Sequence, residues 1–174
     1  MAENIKKYEL TAETKVNFLG KTLYRIKALI SFGIVKSGDL GGWIEKENNL
    51  KQSGNAWVYG NAEVSGNAWV YGNARVSGDA KVSGDAEVSG NAWVSGNAEV
   101  YGNADYTTIS GFGTEFRTTT FFRCSDKKIC VRCGCFYGTL EEFRTQVKNT
   151  RSGKIADEYL MIADLMEKHF AEEN

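Results

Sequence analysis

From Ser53 to Tyr106 the chain repeats every six residues without an insertion: SGNAWV, YGNAEV, SGNAWV, YGNARV, SGDAKV, SGDAEV, SGNAWV, SGNAEV, YGNADY. Nine copies follow one another, and the last ends on Tyr106 where Val should stand. Val closes each earlier copy, from Val58 to Val100, and Ala stands two residues before it, from Ala56 to Ala104. A spacing of two puts both side chains on one side of a short strand, so Ala and Val face inward together and the residue between them faces out. Each copy also carries Gly followed by Asn or Asp, residues that tolerate positive φ and turn a corner. A short inward-facing strand and a corner, repeated every six residues, make one flat side of a coil. The stretch predicts a parallel β-helix.

The phase continues backwards from Ala56: Leu50 and Ile44 lie six and twelve residues earlier, so residues 41–52 form a degenerate first coil. Upstream, Val16 and Phe18 are separated from Leu23 and Ile26 by Gly20-Lys21, which reads as a tight hairpin. An open β-helix end is an unpaired strand edge, and repeat proteins cover such ends with atypical caps. Residues 1–40 are therefore an N-terminal β cap, 41–112 the β-helix, and 113–174 a C-terminal unit.

The hexads are similar to those of hexapeptide proteins that fold as left-handed parallel β-helices with three hexads per triangular coil. A closer resemblance is to a set of bacteriophage and prophage proteins. In these, a GDLGGWIEKENNL-type lead (Gly38 to Leu50 here) precedes tandem V-[SY]-G-[ND]-A-x units, and a GCF-x-GTLEEF-type segment (Gly134 to Phe143 here) follows. The resemblance implies a mainly β fold: a left-handed β-helix between a β cap and a C-terminal hairpin with a two-helix cap. It also implies a phage or prophage accessory protein in the cytoplasm of a bacterial host.

With eighteen residues per coil, the outward positions sort into three ladders: Trp57, Arg75 and Trp93; Glu63, Lys81 and Glu99; Trp69, Glu87 and Asp105. Lys81 is expected to meet a carboxylate on each side, and Arg75 to lie between two indoles. Tyr59 and Tyr71 stand at corners beside these ladders. Trp57, Tyr59, Trp69, Tyr71, Arg75 and Trp93 together have the composition of a binding hot spot. The same residues also fit plain cladding of a thin Val/Ala core.

After Tyr106 the hexads stop, and Ile109 and Phe112 are expected to plug the last coil. Residues 121–124 and 129–133 read as a hairpin carrying Cys124, Cys130, Cys133 and, just beyond it, Cys135. In a reduced compartment these are thiols or metal ligands rather than disulfides. Four thiolates in one short segment satisfy the ligand count of structural Zn2+, and small buried thiols are the other reading. Thr139-Leu140-Glu141-Glu142 is a capping box opening a helix with Leu140, Phe143 and Val147 on its apolar stripe. A second helix over about 154–170 carries Ile155, Tyr159, Ile162, Met166 and Phe170. The pair either closes the β-helix or, through Leu160 and Leu165, builds a homo-oligomer.

Lys and Arg number 21 against 22 Asp and Glu, so charge balance calls for neither nucleic acid nor a membrane surface. No apolar run approaches the length of a span. The sole histidine, His169, lies outside the repeat, and no Ser–His–Asp set or phosphate loop is present. The chain is thus expected to be non-catalytic and to work by binding. A bacterial host protein, specifically a CRISPR effector nuclease, is the partner that the phage-type resemblance favours. The alternatives are sequestration of a small anion or nucleotide near Arg75 or Lys81, and a structural or assembly role.

Overall fold

The computed structural model describes residues 5–171, so the outermost parts of both expected caps, 1–4 and 172–174, lie outside the described residues. Eight two-residue strands form the coils: β4 (Trp57–Val58), β5 (Glu63–Val64), β6 (Trp69–Val70), β7 (Arg75–Val76), β8 (Lys81–Val82), β9 (Glu87–Val88), β10 (Trp93–Val94) and β11 (Glu99–Val100). Every pairing among them is parallel and joins residues eighteen apart, such as Trp57 with Arg75 and Glu63 with Lys81. Three faces result, β4-β7-β10, β5-β8-β11 and β6-β9, in a β-solenoid of about three turns. Val58 through Val100 and Ala56 through Ala98 are all buried in one continuous core. The corner glycines from Gly54 to Gly96 hold φ between 59° and 75°, and stacked amides such as Asn55 to Asn73 at 3.1 Å tie the corners together.

The ninth hexad does not make a coil strand. Gly102 is extended at φ −157°, and the Asp105 carboxylate accepts hydrogen bonds from the Tyr101 and Gly102 amides at 2.9 and 3.0 Å. That capped turn exposes Ala104 and leads the chain out of the solenoid. Strand β12 (Tyr106–Ile109) already belongs to the C-terminal sheet, so the coils end near residue 100 and not at 112.

At the N-terminal end, β1 (Tyr8–Val16) and β2 (Thr22–Ala28) form the expected hairpin and continue through β3 (Leu40–Ile44) into the β5-β8-β11 face. Ile44 pairs in register with Val64, and Leu50 bridges Val70, as the backward phase requires. The strand β3 can lie across the mouth of the first coil because of Gly41 and Gly42. A Cβ on Gly41 would sit 2.7 Å from the Trp57 ring, and one on Gly42 2.7 Å from the Ala62 carbonyl.

At the other end, β12, β13 (Thr119–Arg123), β14 (Ile129–Cys133) and β15 (Phe136–Thr139) make an antiparallel sheet. One side presents Phe122, Cys124 and Cys130 to the coil core. The other presents Phe121 and Val131 to helices α1 (Leu140–Thr150) and α2 (Gly153–His169). Phe122 is therefore the plug. Ile109 and Phe112, expected in that role, pack on the helix side. The sheet also occupies the open edge of the last coil, with Thr120 Oγ1 accepting from the Trp93 amide at 2.9 Å and the Ser125 amide donating to the Asn97 carbonyl at 3.0 Å. The capping box at Thr139 and Glu142 is present in both directions.

Candidate functional site

Outward side chains are positioned by the strands, but what covers them comes from elsewhere. Trp57 points out of its strand yet is only 1% exposed. Tyr8 and Phe32 of the N-terminal cap pack edge-on against its ring, at centroid distances of 6.0 and 5.3 Å. Trp57 is therefore a core residue and not part of a binding surface. It does not sandwich Arg75.

The remaining aromatic candidates separate onto two faces. On the β6-β9 face, Trp69 and Tyr71 lie tilted against each other with ring centroids 4.4 Å apart, and the Lys51 ammonium stands 4.9 Å over Trp69. The groove beside them, about 820 Å3, is acidic through Glu47, Asp85 and Glu87. On the β4-β7-β10 face, Trp93 is half-buried with two guanidiniums near its ring, Arg132 at 3.7 Å and Arg75 at 5.4 Å from the centroid. The indole N–H of Trp93 donates to Ser77 Oγ at 2.9 Å, which fixes the ring. Tyr59 and Arg75 line the same groove, and burial pushes the Tyr59 phenol up, partly offset by the Arg75 charge.

The groove on this face has two lobes of about 320 and 350 Å3 that share Asn91 and Trp93. Its lining includes Arg75, Arg117 and Arg132 and no carboxylate. Among the described residues, Arg75 and Arg132 form no ion pair. Arg132 Nε is buried without an acceptor among those residues, and burial lowers the pKa of this guanidinium. Charge on the neighbouring face is handled differently. Lys81 pairs with Glu99 at 3.5 Å, whereas Glu63 is taken by Lys15 of the cap hairpin at 2.8 Å, so Lys81 meets one carboxylate and not two.

The four cysteines do not form one ligand set. Cys124 and Cys130 are joined as a disulfide, with Cα atoms 6.1 Å apart, against the expectation of reduced thiols. They share the coil side of the sheet. Cys133 lies three residues after Cys130 on the same strand, and odd spacing turns it to the opposite, helix-facing side. There it accepts from Thr119 Oγ1 at 3.2 Å, while Cys135 is exposed. No group of three or more metal-ligating side chains comes together among the described residues. The donor set does not fit a four-thiolate zinc. On α2, Leu160 is half-buried against the core and Leu165 is exposed, and His169 stands exposed in the last turn. Among the described residues no helix is long and apolar enough to cross a membrane.

No protein-family model matches the chain, and no curated protein matches it at a significant level.

Arg132 and Arg117 are the site residues that sequence reasoning missed. One signal was available. Sorting the hexads by face shows that the first, fourth and seventh (SGNAWV, YGNARV, SGNAWV) contain no acid, whereas each other face holds at least three. Nothing local says that the C-terminal sheet brings further arginines over that column.

Proposed function

We propose that this chain is a non-catalytic docking protein whose partner is a bacterial host protein, with a CRISPR effector nuclease the class favoured by the phage-type flanking motifs. The host cytoplasm is the corresponding compartment. The observation that supports docking on the β4-β7-β10 face is the gathering of Arg132 and Arg75 at the Trp93 ring, 3.7 and 5.4 Å from its centroid. Guanidiniums held on an indole are pre-organised, so a partner that binds them loses little side-chain entropy. Aromatic and Arg anchors on a rigid backbone are also the composition of interface hot spots.

The test is inhibition of purified CRISPR effector nucleases together with isolation of a stoichiometric complex. Trp93→Ala is expected to weaken the complex by at least ~2 kcal/mol, while Lys81→Ala on the adjacent face leaves it intact. A stoichiometric partner indifferent to Trp93→Ala would remove this face from the function, and failure to inhibit any effector would remove the CRISPR assignment.

A further inference from the structure

The acid-free face carries enough chemistry to say what kind of surface it meets. Two guanidiniums already crowd the Trp93 ring, Arg132 at 3.7 Å and Arg75 at 5.4 Å from its centroid, so the indole is not a free platform for a nucleobase. What the groove offers instead is donors. The amide column runs from Asn55 to Asn73 at 3.1 Å and from Asn73 to Asn91 at 3.2 Å, each Nδ2 donating to the next Oδ1. Asn91 ends that column, its Nδ2 without an acceptor among the described residues, in the lobe that Arg117 and Arg132 line. The corresponding columns elsewhere contain Asp79 and Asp85, which consume such donors. Arg117 makes only a loose exposed contact with Glu115 at 3.8 Å.

The two ends of the groove are apolar. Ile34 stands at the N-terminal-cap end and Phe116 at the other, each 70% exposed. Phe116 is also held at φ +50°, a backbone region that bulky residues rarely occupy and that tends to persist at functional positions. The outer strands of the face are ~10 Å apart at the usual strand spacing, and the cap loops lengthen the groove further. The ~10 Å between the outer strands by itself suits about three extended residues at ~3.3 Å each.

We propose, resting on the docking reading above, that this face takes an extended acidic segment of a partner polypeptide, its carboxylates on Arg75, Arg117 and Arg132 and its apolar ends against Ile34 and Phe116. A carboxylate can accept two N–H donors of one guanidinium side by side, the pairing that unpaired arginines on this face offer.

The test uses the full chain and a fluorescein-labelled peptide of consecutive glutamates flanked by leucines, with fluorescence anisotropy as the readout. Binding should weaken at least ~10-fold in Arg75→Glu and in Arg117→Glu, each on an outward position, and should weaken as salt is raised. Arg132→Gln is the third variant, read alongside its melting curve because its backbone belongs to the cap sheet. Tighter binding of inorganic phosphate, ATP or single-stranded DNA than of the peptide would overturn the inference and assign the face to phosphates. Equal binding of a lysine-for-glutamate peptide would overturn it as well. Should the acidic peptide fail to bind while a stoichiometric host complex is still lost in Trp93→Ala, docking stands and the acidic-segment inference falls. Peptide binding that Arg75→Glu abolishes upholds the inference even where no CRISPR effector is inhibited.

Discussion

The hexad SGNAWV occurs at both ends of the β4-β7-β10 face, at 53–58 and 89–94, and the two copies meet opposite fates. Both tryptophans leave their strands in the same direction and both are two rungs of one ladder, with Arg75 between them. Trp57 is buried beneath Tyr8 and Phe32 and holds the N-terminal cap to the first coil. Trp93 stays at the surface and holds arginines. Six residues dictate where a side chain points. Segments far away in sequence decide whether it ends in the core or at the surface.

The largest expected effect breaks this pair apart. Trp57→Ala should destabilise the fold by about 3–5 kcal/mol, the usual cost of emptying a core site of that size, whereas Trp93→Ala should cost about 1 kcal/mol or less. Chemical denaturation of both variants is the measurement. Equal losses would mean that the two ends are not distinguished by their caps.

An intermediate effect belongs to the C-terminal end alone. Replacing Cys124 or Cys130 by Ser should lower stability by about 2 kcal/mol under oxidising conditions, because the disulfide closes a short loop, and should leave the Trp57 end unchanged. Thiol titration of the wild type should find two free cysteines, Cys133 and Cys135. Recovery of about one zinc per chain with four reactive thiols on its removal would show that the hairpin refolds around metal.

The most gradual effect, and the smallest per unit of pH, belongs to the N-terminal end. Lys7 is buried with its ammonium 2.9 Å from the Ala56 carbonyl, and burial pushes its pKa down from 10.5 to about 8. Between those two values the unfolded chain binds more protons at this position than the folded one, so stability should rise with pH through that window. Below about 8 both states carry the proton and the stabilisation is lost. The slope has a ceiling of about 1.4 kcal/mol per pH unit for one proton. Tyr8, whose phenol is raised by burial and by Glu47, opposes it above pH 10.0, where unfolded tyrosines ionise. Melting curves between these limits should therefore climb gently in the wild type and flatten in Lys7→Met.

How far the sequence reached follows from the same contrast. The Ala/Val core, the eighteen-residue pairing and the phase back to Ile44 were readable because each depends on residue type at a fixed short period. The Thr139–Glu142 cap was readable for the same reason. The burial of Trp57 was not, since it depends on the close approach that Gly41 and Gly42 permit and on rings from the cap. The cysteines are an instructive middle case. Four in a cluster suggested convergence, yet the odd step from Cys130 to Cys133 already placed those two on opposite sides of a strand. The arginine pair at Trp93 divides evenly, with Arg75 visible in its ladder and Arg132 brought over Trp93 only by the cap sheet.

Registry at eighteen residues also makes the molecule a kind of dial. Removing one whole coil would shorten the rod by about 4.8 Å and leave both caps aligned as before. Removing a single hexad would instead turn the C-terminal cap by a third of a revolution relative to the N-terminal one, because three hexads complete each coil. Arg132 and Arg117 would then sit over a column bearing glutamate or aspartate, and the composite groove would be lost although every hexad still folded. Lineages that lengthen or shorten this protein while keeping that groove are thus confined to multiples of three hexads. Any that change by one or two must have abandoned the face or rebuilt it.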